Sequence, residues 1–353
     1  MLTGIYQVGT GAVGAFYGSR LHQPNHPQQP VLVSLTCRSN YDQVRENGLE
    51  LKTRSFGDYH FRPHRVFPSV SAAGTEWDYV LLCTKLLPDR VDDSAILSPL
   101  ITSDRPPPTI VLVQNGLGFE HTHRERFGEA VPIISAVTVV NAEQIEPGVV
   151  RQNRWTRIHL GPYVDFRYVS QGVTDERQEW KQKLEERSED RVTLLAELLR
   201  QGGIRDAEVH SERDLQLVRW HKLAINASMN PSSILSGGLT NAEMVADPAL
   251  RTHLAGCMTE VLSATCAIFK LEKMPAHFAS PEQILESTAR AKGDAVKPSM
   301  LTDWELHRPL ELEAILAVPI RIARRFGIEL GRLEAMYAFL SQLERQGAAL
   351  ARL

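Results

Sequence analysis

The sequence predicts an α/β domain over residues 1–210, built on a doubly wound sheet, followed by an all-α domain over residues 211–353. Two patterns and one motif carry this expectation. Short β-branched runs alternate with helical stretches through the first half. A glycine-rich turn follows the first of those runs. From about Asp214 a helical period of about 3.6 residues persists to the C-terminus.

Residues 4–8 read as the first strand, 12–21 as a helix and 31–37 as the second strand. The intervening 22–30 segment carries Pro24, Pro27 and Pro30 and is expected to be a loop. Runs at 77–83, at 109–113 (launched from Pro106-Pro107-Pro108) and at 131–140 are further strands of the same sheet. Alternation at 149–160 places strands in a more exposed part of it. The charge-dense 176–191 segment reads as a solvated helix, with Leu194, Leu195, Leu198 and Leu199 as the apolar stripe just beyond. After Gly202-Gly203, residues 207–209 are expected to close the sheet.

Composition bounds the function. The 353 residues are 43% hydrophobic and 23% charged, as in a folded globular protein. Lys plus Arg number 39 against 42 Asp plus Glu, with no basic block, so neither nucleic acid nor an anionic membrane is an expected partner. Cys37, Cys83, Cys257 and Cys266 lack CxxC spacing and read as reduced thiols. No apolar run approaches the ~18 residues of a membrane span. The first strand begins near residue 4 and leaves no room for a signal peptide, so a cytoplasmic address is expected.

Ile5-Tyr6-Gln7-Val8 runs directly into Gly9-Thr10-Gly11-Ala12-Val13-Gly14, a GxGxxG turn that leaves a strand and opens a helix. That context predicts dinucleotide binding. Gly9 permits the tight turn, Gly11 admits a pyrophosphate to the backbone N–H groups, and Gly14 allows close helix–sheet packing. A purely structural turn is the alternative. At the end of the second strand stands Arg38, where an acid would read the 2′-hydroxyl of NAD, so NADPH/NADP+ is the expected cofactor. An exposed arginine with Asp42 nearby is the competing reading. Lys85 and Asn115 follow later strands and are expected to face the nicotinamide half; Asn115-Gly116 also fits an ordinary turn.

Lys222, Asn226 and Asn230 recur every four residues on an otherwise apolar helix and share one face. A polar line on a buried helix needs internal partners or a wet cleft. His221 points about 100° away from Lys222. His121 and His123 lie two residues apart without a carboxylate or thiol cluster, so no metal is expected.

This ordered set resembles the ketopantoate reductase (2-dehydropantoate 2-reductase) family. It runs from the turn through Arg38, Lys85 and Gln114-Asn115-Gly116-Leu117-Gly118 to the Lys222-x3-Asn226-x3-Asn230-Pro231 helix. Pro298-Ser299-Met300-x2-Asp303 and Glu311 complete it. The resemblance implies a Rossmann N-terminal domain, an all-α C-terminal domain of the 6-phosphogluconate dehydrogenase-like type, and an active site in the cleft between them. It also implies NADPH-dependent reduction of a 2-oxo acid in pantothenate biosynthesis, with Lys222 as general acid and Glu311 orienting substrate and active-site groups. By the same resemblance Asn226 and Asn230 contact the substrate or fix Lys222, Ser299 meets its carboxylate, and Asn115 lies near cofactor and substrate. The next family asparagine matches Asn241 only with a one-residue insertion; direct counting lands on Thr240.

Departures at Val296, Pro309, Leu310 and Ala317 suggest a more apolar pocket. They keep open a paralogue reducing a different ketone or 2-oxo acid, alongside a catalytically silent NADP-binding protein. Without the resemblance, Ser299 and Asp303 read equally as helix caps and Glu311 as a first-turn acid. A homodimer stands as the alternative to a monomer.

Overall fold

The computed structural model describes residues 2–165, 175–290 and 297–350 and divides into two units. Val296 lies outside the described residues.

The first unit comprises Met1–Lys85, Asp92–Gln114 and Glu120–Gln216. In chain order it holds β1 (Thr3–Val8), α1 (Ala12–Leu21), β2 (Val31–Thr36), α2 (Tyr41–Asn47), β3 (Leu49–Thr53), β4 (Gly57–Phe61) and β5 (Val66–Phe67). Then come β6 (Tyr79–Leu82), α3 (Asp93–Leu97), β7 (Thr109–Leu112), α4 (Phe119–Phe127, from Glu120 on), β8 (Ile133–Glu146), β9 (Val149–Pro162), α5 (Asp175–Gln201) and β10 (Ala207–Val209). The strands form one sheet in the order β4-β3-β9-β8-β7-β6-β1-β2-β5, with β10 added to β9.

From β8 to β2 neighbouring strands are parallel, as expected of a doubly wound sheet. Ile5, Val33, Leu35, Tyr79, Leu81 and Val111 are buried in its core, and α1 adds Phe16, Tyr17 and Leu21. Strands with apolar side chains on both faces need covering helices, which the crossover connections supply.

The sheet is nevertheless mixed. β8 and β9 are antiparallel and longer than the 131–140 and 149–160 runs suggest. Only Pro147 and Gly148 separate them, and a parallel return needs a dozen or more residues. β3, β4 and β5 are absent from the sequence reading. β3 alternates buried and exposed residues, lies between β9 and the edge strand β4, and pairs antiparallel with β4, so this end of the sheet keeps one face on the core and one toward solvent.

The second unit comprises Leu86–Val91, Asn115–Phe119 and Leu217–Leu353, so the partition is discontinuous where the sequence reading divides the chain once. It holds α6 (Glu212–Leu235, from Leu217 on), α7 (Asn241–Ala246), α8 (Pro248–Ile268), α9 (Pro281–Arg290) and α10 (Ser299–Glu305). A π-helical turn (Glu313–Ala317), α11 (Val318–Arg325) and α12 (Gly331–Leu350) complete it. Trp220, Leu223, Ala224 and Ala227 of α6 are buried, as are Leu254, Met258 and Val261 of α8 and Leu333 and Leu340 of α12. Among the described residues no helix is long and apolar enough to cross a membrane. All four cysteines are free thiols.

Candidate active site

The glycine turn between β1 and α1 is shaped by backbone contacts within the first unit. Gly9 has φ +94°, which L side chains rarely adopt. A Cβ there would also sit 2.8 Å from the Thr84 nitrogen. At Gly14 a Cβ would lie 2.3 Å from the Gly9 carbonyl oxygen and 2.8 Å from Gln7 Nε2. Gln7 is fully buried and donates from that nitrogen to the same carbonyl at 3.2 Å. A Cβ at Gly11, by contrast, would meet nothing within 4 Å. Gly11 is the N-cap of α1 and offers no side-chain acceptor to the first helical N–H groups. Open space beside uncapped donors at the positive end of a helix fits a pyrophosphate.

Thr10 Oγ1 donates to the Thr36 carbonyl at 2.9 Å, tying the turn to the end of β2. Ala12 and Val13, the first residues of α1, pack against the sheet core. Two residues beyond β2, Arg38 is exposed, and Asp42 pairs instead with Arg45 at 3.5 Å. Lys85 is exposed and ends the first segment of this unit.

The second unit gathers three of the sequence-predicted residues. Lys222 Nζ on α6 donates to Asn115 Oδ1 at 2.7 Å, across 107 residues of chain. Burial pushes the Lys222 ammonium down to about 7; the Arg219 charge adds to the fall and the Glu311 carboxylate opposes it. Glu311 is buried, and its Oε1 accepts from the Leu86 N–H at 3.0 Å.

Asn115 sits in a bend. Gly116 has φ +94°, and a Cβ there would lie 2.8 Å from Ala314 in the π-helical turn. The close packing of Gly116 and the contact of Asn115 with Lys222 thus fall on adjacent residues. The insertion of a π turn next to such a group is a recurrent feature of functional sites.

Asn226 and Asn230 continue the Lys222 face of α6; the first is half-buried and the second buried. No hydrogen bond links Asn241 or Ser299 to Lys222. Thr240 is engaged as the N-cap of α7, in a reciprocal capping box with Glu243. Asn241 keeps a buried Oδ1 with no hydrogen-bond partner. Ser299 is exposed and is not a cap, since Pro298 holds that position in α10. Asp303 is buried in the same helix. Glu311 precedes the helical turn, while Glu313 pairs with Arg321 and accepts from Tyr337 Oη.

Sequence reasoning missed Arg219, three residues before Lys222 on α6. Its guanidinium is buried, donates from Nη1 to the Gly116 carbonyl at 3.3 Å, and lies 4.9 Å from the Phe119 ring centre. Its spacing from Lys222 is the signal that could have found it.

The family described as Ketopantoate reductase PanE/ApbA matches residues 5–165, and its C-terminal counterpart matches residues 214–344. A 2-dehydropantoate 2-reductase of Nostoc sp. is 26% identical over 340 residues, covering 96% of this chain and 94% of that protein. The crystal structure of 2-dehydropantoate 2-reductase from Methylococcus capsulatus superposes with a TM-score of 0.75 at 28% identity, covering 98% of this chain and 97% of the other. D-mandelate dehydrogenase, solved with NADH and anilino(oxo)acetate, shares the fold at a TM-score of 0.74 and 19% identity, covering 98% of this chain and all of the other. The α/β and all-α units, the strand-turn-helix glycine motif and the two family matches agree. The chain belongs to the ketopantoate reductase family, oxidoreductases that act on a CH–OH or ketone group with a nicotinamide dinucleotide.

Proposed function

We propose that this chain reduces a 2-oxo acid with NADPH, and that the acid is 2-dehydropantoate (ketopantoate), giving pantoate. The observation that carries the reading is the Lys222 ammonium, desolvated and held 2.7 Å from Asn115 Oδ1 in the field of Glu311. A bound reduced nicotinamide supplies a hydride to the carbonyl carbon. Lys222 then serves the oxygen: one N–H is kept by Asn115, and the others are left to stabilise the growing negative charge and to transfer a proton at Nζ. Glu311, anchored through the Leu86 N–H, sustains the ammonium against burial and against Arg219. Asn226, Asn230, Asn241 and Ser299 are assigned to the substrate; Gly9 to Gly14, Arg38, Lys85 and Asn115 are assigned to the cofactor. The free thiols are consistent with a cytoplasmic setting.

NADPH oxidation measured against a panel of 2-oxo acids and ketones tests this directly. Ketopantoate is expected to give the highest kcat/KM. Preference for another member would favour the second reading, a relative with a different substrate, which the departures at Pro309, Leu310 and Ala317 motivate. Tight NADPH binding without turnover of any compound would leave a silent binding protein.

The assignment of Arg38 predicts that Arg38→Asp weakens NADPH about tenfold or more while leaving NADH little changed, since a charge-assisted phosphate contact is worth ~1.5–3 kcal/mol. An unchanged NADPH/NADH preference in steady-state kinetics would remove Arg38 from the site.

Reduction needs the ammonium form, so kcat/KM should be level at low pH and fall as pH rises through about 7. Removing the positive neighbour in Arg219→Gln should move that limb to higher pH. Removing the negative one in Glu311→Gln should move it lower. Shifts of one sign in both variants would contradict Lys222 as the titrating acid.

A further inference from the structure

We infer that His159, Glu208 and His210 form a binding site for a divalent transition-metal ion of the Zn2+ kind, in the first unit and separate in its residues from the Lys222 group. The parallel pairing of β9 and β10 sets His159 directly opposite Glu208, and cross-strand partners share a face of the sheet. His210 lies two residues past Glu208, where the strand alternation returns to that face, and its N–H is held by the Leu160 carbonyl at 2.8 Å. Three ligands of types suited to zinc therefore converge: two imidazole nitrogens and one carboxylate oxygen.

Their separations are close to those of ligands around an ion, the shortest being a hydrogen bond between the two imidazoles. His159 Nδ1 is 2.9 Å from His210 Nε2, and Glu208 Oε2 is 3.4 Å from the first and 3.7 Å from the second. A tetrahedral ion with bonds of about 2.0–2.1 Å holds its ligands about 3.3 Å apart. The three atoms already outline one face of such a tetrahedron. The other Glu208 oxygen, Oε1, lies 3.2 Å from Arg157 Nε. That outer contact turns Oε2 toward the imidazoles, the role that second partners play around bound metals. His159 is buried, whereas the Glu208 side chain is 42% exposed, which gives an ion a route in and a fourth position for water. His121 and His123, the pair weighed in the sequence, lack this arrangement: His121 pairs with Glu125 one turn along α4.

The test is titration of the full-length protein with Zn2+ against a chromophoric chelator, with Co2+ as a spectroscopic substitute. The expected result is one Zn2+ per chain, four-coordinate d–d absorption from Co2+, and at least a tenfold loss of affinity in each of His159→Ala, Glu208→Gln and His210→Ala. Glu208→Gln is close to isosteric, changes a side chain that is 42% exposed and leaves the backbone pairing of the three-residue strand β10 in place, so it should keep the melting temperature of the metal-free protein and its loss of binding would not reflect unfolding. Absence of stoichiometric Zn2+ binding, or binding unaltered by Glu208→Gln and His210→Ala, would overturn the site.

Discussion

Lys222→Ala should lower kcat for ketone reduction by about two to four orders of magnitude, the range associated with a positioned general acid. The cofactor dissociation constant, read from quenching or enhancement of NADPH fluorescence, should change little, because Lys222 belongs to the substrate side of the assignment. Lys222→Arg separates charge from proton. A guanidinium restores a cation near the ketone oxygen but is not deprotonated in proteins, so it should recover binding of a 2-oxo acid without recovering turnover. A Lys222→Ala enzyme within tenfold of the parent would show that the proton comes from elsewhere.

Gly14→Val should cost both cofactor affinity and stability. The first added atom would sit 2.3 Å from the Gly9 carbonyl oxygen, a backbone atom that moves only if the whole turn moves. Displacing Gly9 also breaks the contact from Gln7, whose amide is buried. A displacement of about an ångström in a positioning element can cost on the order of a hundredfold, and NADPH affinity should fall at least that much. The melting temperature should fall with it. Gly11→Ala is the control: its Cβ would meet no protein atom within 4 Å, so stability should hold while the bulk added beside the uncapped N–H groups weakens NADPH. Equal loss of melting temperature in both variants would mean that the turn is structural and that Gly11 has no ligand-facing role.

Much of this is legible in the sequence. The GxGxxG turn and the Lys222, Asn226, Asn230 face are local patterns, fixed by steric limits and helical geometry over about ten residues. The parallel strands from 4–8 to 109–113 followed from β-branched runs bounded by breakers. What escaped notice was either weakly patterned or remote. β5 has two residues, too few to show a period. The antiparallel return of β9 depended on reading the brevity of the Pro147-Gly148 connection.

By itself the sequence determined the fold class, the glycine-rich turn and the polar face of α6, because each is specified by neighbours along the chain. Only the tertiary structure decided what that face touches. Lys222 meets Asn115 across 107 residues, and the Leu86 N–H meets Glu311 across 225. Arg219 and burial together press the ammonium toward neutrality, and His159 meets Glu208 by strand register. Hydrogen bonds, desolvation and converging ligands depend on distance in space, and a one-dimensional pattern carries that distance only where the chain is locally regular.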